Sequence, residues 1–228
     1  PSFLPQKTMP FAAELYEAGA RIGLWNITES EAALRTGITL SPASMSLINA
    51  SGSAKRRREL LAVRSLMHRM GISDNDLYYQ DEKPMLRSGR FISISHSGTM
   101  ACIALSAEGP VGVDIKEIKP RLSIVVRWLT KSAPDAAGRN VSLIRSGLLW
   151  TAREAMFKLA GREGVSMRSF HTRLPEGEIG TQGCFPGYLD TGTGTETFQV
   201  HYRVLEGYVL AVAFPTEAAE AAEDATDL

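Results

Sequence analysis

Apolar positions along the chain recur at two intervals. In "SGSAKRRRELLAVRSLMHRMG", Leu60, Leu61, Val63 and Met67 fall at near-helical spacing. This predicts a helix of roughly four turns that stops at Gly71. Short runs with β character follow: "DLYYQ", "PML", "FISIS", "MACIALS" and "VGVDI". Polar or Gly-containing turns separate them, as in an antiparallel meander. Upstream, "ARIGLWNI" (20–27) reads as a strand. Thr28 and Glu31 have capping-box spacing, so a short helix is expected after it.

The second half repeats the plan. "LSIVVRWLT" (122–130) predicts a helix, and a longer one is expected at about 141–160. Strands are predicted at "SFHTRL", "GCFPGYLD", "ETFQVHYRV" and "YVLAVAF". The end of the first meander, "MACIALSAEGP", is similar to the end of the second, "YVLAVAFPTE". This faint repeat points to an α+β protein of two similar halves, each with helices packed on an antiparallel sheet. The expected division is 1–108, 109–215 and an acidic tail, 216–228. The cleft between halves is the natural ligand site.

Composition narrows the classes. The 228 residues include 25 basic and 25 acidic ones, so the net field favours no partner and any charged patch is local. Two cysteines cannot form a disulfide framework in a chain this long, and Cys102 and Cys184 are expected to be reduced core residues. No run of about 18 apolar residues occurs, so no helical membrane span is expected. "PSFLPQKTMPF" lacks the pattern of a secretory signal, and a cytoplasmic location is the default. The tail "PTEAAEAAEDATDL" is acidic, with apolar content mostly from alanine, and is expected to be frayed.

Four short stretches could carry chemistry. In "WTAREAMFKLAG" (150–161), Leu148, Ala152, Ala155 and Leu159 share one stripe, while Glu154 and Lys158 lie four apart on another. Such a pair is either a solvent-exposed helix pair or part of a site. In "VGVDIKEI" (111–118), Asp114 interrupts an apolar strand. It either reaches water at the strand end or meets a cation. If Asp114 and Glu154 converge, they form a hard oxygen site suited to Mg²⁺. In "SISHSG" (93–98), Ser95, His96 and Ser97 either bind phosphate or satisfy a turn. "KRRR" (55–58), with Arg64 farther along, is either an anion site or a solvated face. Lys83 adds a base before Pro84. A Ser–His–Asp hydrolase is disfavoured, since there is no G-x-S-x-G elbow. A nucleic-acid surface is disfavoured by neutrality and by the lack of interleaved aromatics.

The order of these pieces carries more than any one of them. A basic helix, then x-K-P, S-H-S, G-V-D and W-x-x-[basic]-E-A-x-x-K resembles the 4′-phosphopantetheinyl transferases of the larger, surfactin-type branch. The resemblance covers about residues 50–165 and, more loosely, extends to 214. It implies a monomer with two similar halves related by a pseudo-twofold and the site between them. It implies transfer of the phosphopantetheine arm of coenzyme A to a serine of an acyl or peptidyl carrier protein in fatty acid, polyketide or peptide synthesis. The other product is adenosine 3′,5′-bisphosphate.

By the same resemblance, Asp114 and Glu154 match Mg²⁺ ligands and Lys158 matches a phosphate contact that steadies the leaving group. Lys83, Ser95 and His96 match coenzyme A contacts. One or more of Lys55, Arg57, Arg58 and Arg64 is expected at the 3′-phosphate. Arg153 stands where the family usually has lysine; it holds phosphate but cannot shuttle a proton. Two further positions depart from the pattern. Lys116 replaces a common second acid, and Ala133 stands at the place of a candidate base, with Asp135 nearby. These departures keep a second reading open, a paralogue that binds coenzyme A or carrier protein without transfer.

Overall fold

The computed structural model describes residues 11–120, 143–161 and 164–216. The chain begins with the hairpin β1 (Phe11–Glu17) and β2 (Ala20–Asn26). Three helices follow: α1 (Glu31–Arg35), α2 (Pro42–Ala50) and α3 (Ala54–Arg69). Each starts on a serine. The Oγ atoms of Ser30, Ser41 and Ser53 accept from the backbone N–H of Ala33, Ser44 and Arg56, satisfying donors that a helix start leaves open. The cap of α1 is therefore Ser30 and not Thr28. Pro42 sits in the first turn of α2, where its missing N–H costs nothing.

Next come β3 (Leu77–Gln80), β4 (Lys83–Leu86), β5 (Phe91–Ser97), β6 (Met100–Ser106) and β7 (Gly112–Glu117). The second half holds α4 (Leu143–Ala160), a single 3-10 turn, and β8 (Phe170–Thr172), β9 (Gln182–Asp190), β10 (Thr195–Leu205) and β11 (Tyr208–Pro215). The helix expected at 122–130, Ala133, Asp135 and residues 217–228 lie outside the described residues.

The strands form two larger antiparallel sheets and one hairpin. The first sheet runs β1-β2-β6-β5, the second β7-β11-β10-β9-β8, and β3 pairs only with β4. The five runs from "DLYYQ" to "VGVDI" are thus not one meander. β7 leaves its neighbours in sequence and pairs with β11, nearly a hundred residues away.

Strand alternation explains the layering. On β6, Ala101, Ile103 and Leu105 face α3, while Cys102 and Ala104 face the second sheet. On β11, Val209, Ala211 and Ala213 face α4, while Leu210 and Val212 face the first sheet. The order of layers is α3, first sheet, second sheet, α4. Cys102 lies in the inter-sheet core. Cys184 is exposed, which corrects the expectation that both thiols are buried: on β9 only the odd positions Phe185, Gly187 and Leu189 turn inward.

The two sheets also meet along an edge. The backbone N–H groups of Val113, Ile115 and Glu117 on β7 donate to the hydroxyls of Ser93, Ser95 and Ser97 on β5, at 2.9, 3.4 and 3.0 Å. The spacing is 20 residues in every case, so the strands run in the same direction along this seam. Alternate side chains of one strand here do the work of a backbone ladder.

Candidate active site

Gly112 brings strand and helix together. A Cβ at this position would collide with the carbonyl oxygen of Ala155 in α4. Only a bare backbone lets β7 approach α4 so closely. Val113 and Ile115 point into the inter-sheet core, so Gly112, Asp114 and Lys116 share the opposite face, toward α4. On α4, Leu148, Ala152, Ala155 and Met156 are fully buried and Leu159 nearly so, which fixes the helix rotation. Phe157 packs edge-on against Phe170, with ring centroids 6.0 Å apart.

Asp114 is only 5% exposed. Its Oδ1 accepts from Ser95 Oγ at 2.5 Å and from Lys158 Nζ at 2.8 Å. Lys158 Nζ also donates to the carbonyl of Val113, 3.1 Å away. Asp114 Oδ2 is buried and has no partner. Lys158 therefore pairs with Asp114 across the two halves of the motif, and not with Glu154 on its own helix. Burial pushes the Glu154 carboxyl above its usual range, and the nearby charge of Asp114 adds to this; Lys158 and Lys116 pull the other way. Lys116 Nζ lies over the Trp150 ring, 4.9 Å from its centroid. Asp114, Glu154, Lys158 and Lys116 thus form one electrostatic group.

Arg153 is buried, with Nε and Nη1 both unpartnered. Burial pulls its guanidinium below the usual range. Lys83 reaches from β4 to the end of α4, where Nζ donates to the carbonyl of Leu159 at 3.2 Å. A cation there suits a helix C-terminus. Gly161 has φ +56° and leaves the space that the Lys83 side chain fills. Burial lowers the Lys83 pKa. A cavity of about 630 Å³ opens beside Lys83 and Lys158, walled also by Pro84, Ser93, Phe157 and Gly161; Asp114, Glu154, Arg153 and His96 do not line it.

The basic residues of α3 divide. Arg56 Nη1 lies 2.5 Å from His96 Nε2, and His96 Nδ1 is 3.5 Å from Glu59. Glu59 is buried and gathers Lys55 at 3.7 Å and Arg56 at 3.6 Å. Burial lowers the His96 pKa, and Glu59 partly opposes this. Arg58 is exposed. Arg57 turns away to Glu31 and the carbonyl of Ser51, both at 2.9 Å. Arg64, also expected at a phosphate, is 2% exposed. Its Nε is held by Asp74 at 2.7 Å and Ser44 at 2.9 Å, and its Nη1 is buried without a partner. Ser95 likewise spends its hydrogen bond on Asp114.

A scan against protein-family models finds no match. Individual relatives do match. The chain is 32% identical over 138 residues to the 4′-phosphopantetheinyl transferase AcpT of Salmonella typhimurium, covering 57% of this chain and 72% of that protein. It is 29% identical over 135 residues to AcpT of Escherichia coli strain K12, covering 54% and 68%. It is 32% identical over 137 residues to the 4′-phosphopantetheinyl transferase psf-1 of Bacillus pumilus, covering 53% and 57%.

The chain belongs to the 4′-phosphopantetheinyl transferases.

In this transferase, Glu59 is a site residue that the sequence does not single out, and Arg56 belongs to "KRRR" but not to the residues expected at the 3′-phosphate; both stand beside His96. The i,i+3 and i,i+4 spacings of Arg56 and Lys55 to Glu59 were the available signal. The alternation S-x-S-x-S in "SISHS" was the signal for the seam. Among the described residues, no three His, Cys, Asp or Glu side chains converge as a metal cluster. No helix among them is long and apolar enough to cross a membrane.

Proposed function

We propose that this enzyme moves the phosphopantetheine arm of coenzyme A to a serine of an acyl or peptidyl carrier protein, with Mg²⁺, and releases adenosine 3′,5′-bisphosphate. The observation that carries the reading is the unpartnered Oδ2 of Asp114, buried beside Glu154 and Lys158. A buried carboxylate oxygen without a donor is costly unless a cation meets it. Mg²⁺ takes one or two protein carboxylates and completes its shell with phosphate oxygens and water. Asp114 and Glu154 supply that set, so the residues fit the ion.

Ser95 and Lys158 hold Asp114 by Oδ1 and leave Oδ2 for the metal. Lys158 lines the cavity, where its ammonium meets the diphosphate and steadies the leaving oxygen. Lys83, which also lines the cavity, and Arg153, with two unpartnered donors, contact other phosphate oxygens. His96 with Arg56, backed by Lys55 and the exposed Arg58, receives the 3′-phosphate. Bound Mg²⁺ would supply positive charge against the diphosphate as its bridging oxygen becomes a leaving group. The carrier serine oxygen forms a new bond to the phosphorus of the pantetheine phosphate. The bond from that phosphorus to the bridging oxygen breaks, and the serine proton leaves to a base. We assign the protein to the larger, two-half branch of the family, supported by two sheets in one chain, each with a helix on its outer face, and read it as a monomer acting without membrane or nucleic acid.

The test is direct. The protein is mixed with coenzyme A, Mg²⁺ and an apo carrier protein, and the carrier is weighed. A mass gain of one phosphopantetheine arm that disappears with chelator supports the reading. An unmodified panel of acyl and peptidyl carriers, in the presence of measurable coenzyme A binding, rejects it.

A further inference from the structure

Four charged side chains meet where β7 faces α4, and their sum is zero. Asp114 and Glu154 are the carboxylates. Lys158 is hydrogen-bonded to Asp114 at 2.8 Å, and Lys116 Nζ lies over the Trp150 ring, near enough for its charge to act on Glu154. We propose that Lys116 is a built-in counter-ion for the Asp114–Glu154 pair, so that a divalent cation enters this site only together with the diphosphate. This rests on the metal reading above and adds an order of binding to it.

The position of Lys116 is fixed twice. The strand sends it to the same side as Asp114. The Trp150 ring then holds its ammonium, 4.9 Å from the centroid. Trp150 is one helical turn before Glu154, so the cation is kept at that carboxylate's side of α4. Without substrate, each carboxylate thus has an ammonium nearby. A free divalent ion entering would gain two carboxylates and meet two like charges in a partly buried space, where charge is poorly screened. Coenzyme A changes the sum. Its diphosphate brings two negative charges, which the ammoniums can face, and oxygens that complete the ion's octahedron. Ion and diphosphate then favour each other's binding by the same factor.

The experiment uses the full chain and Mn²⁺, whose free form is counted by electron paramagnetic resonance. Titrations are run without and with saturating coenzyme A, corrected by coenzyme A alone. Lys116→Met and Lys116→Gln are compared, with circular dichroism to establish that each is folded. The native protein is expected to bind Mn²⁺ roughly tenfold or more tightly with coenzyme A than without it. In both variants Mn²⁺ alone is expected to bind roughly tenfold more tightly than to the native protein, and the gap should shrink. Equal Mn²⁺ affinity with and without coenzyme A in the native protein overturns the proposal. So does unchanged Mn²⁺ affinity in either folded variant. If coenzyme A binds but Mn²⁺ does not bind under any condition, the metal reading itself fails, and the order of binding falls with it.

Discussion

Arg64 in α3 and Arg153 in α4 are 2% and 6% exposed, and the sequence offers the same expectation for both, a phosphate contact. Their surroundings differ in whether an acid stands beside the guanidinium. Arg64 is held by Asp74, which also accepts from the Ser41 amide at 2.7 Å and the Ser44 hydroxyl at 2.9 Å. The network ties the start of α2 to α3. Arg64 Nη1 is also buried without an acceptor, whereas Arg153 has two such donors, Nε and Nη1. A buried ion pair holds a fold only while both partners remain. A buried cation without a partner weakens a fold unless something else later fills the gap. The contrast is between a guanidinium paired with a buried acid through Nε and one with neither Nε nor Nη1 partnered.

The largest way to break this contrast is to remove Arg64. Arg64→Ala leaves Asp74 buried and uncompensated, so denaturant titration should show a loss of about 3–5 kcal/mol. Coenzyme A affinity per folded molecule should not change. Arg153→Ala should do the reverse. Losing a charge-assisted contact of about 1.5–3 kcal/mol lowers kcat/KM by roughly 10- to 150-fold, while the melting temperature holds or rises. A stability loss as large as that of Arg64→Ala would erase the distinction.

Ser95→Ala tests an intermediate case, a satisfied residue that supports a site. It should cost about 1 kcal/mol of stability and weaken metal-dependent turnover, with Ser95→Thr retaining more of both. The smallest effect on stability belongs to Glu154. Its folded carboxyl has a raised pKa, so its ionised form disfavours the fold at neutral pH. That penalty vanishes as pH falls through the folded pKa toward the unfolded value. Glu154→Gln should therefore raise the melting temperature of the metal-free protein near neutral pH by about 1–2 °C while abolishing turnover. The gain should fade by about pH 4.

Much of the fold was readable because its periods are local. α3, its stop at Gly71 and the buried stripe of α4 follow from spacing alone. α2 was missed: its exposed Met45 and Leu47 blur the apolar stripe. β1 was missed because "FAAELYE" relies on alanine for much of its apolar signal. The pairing of β7 with β11 was not readable, since it depends on partners far apart in the chain. At the candidate site, the stretches holding Asp114, Glu154 and Lys158 stood out by residue type and order. The separate fates of Arg56, Arg57 and Arg64 did not. They differ by rotation around α3, which brings one side chain to His96, one to Glu31 and one to Asp74.

The hydroxyl seam between β5 and β7 has an evolutionary consequence. A backbone ladder survives almost any substitution, because every residue except proline carries the same donor and acceptor. A seam made from Ser93, Ser95 and Ser97 is written in three codons. It can be loosened or reset one rung at a time without disturbing the hydrogen bonds inside either sheet. The contact between the two sheets along this edge is thus open to change by single substitutions in a way that the pairing inside each sheet is not.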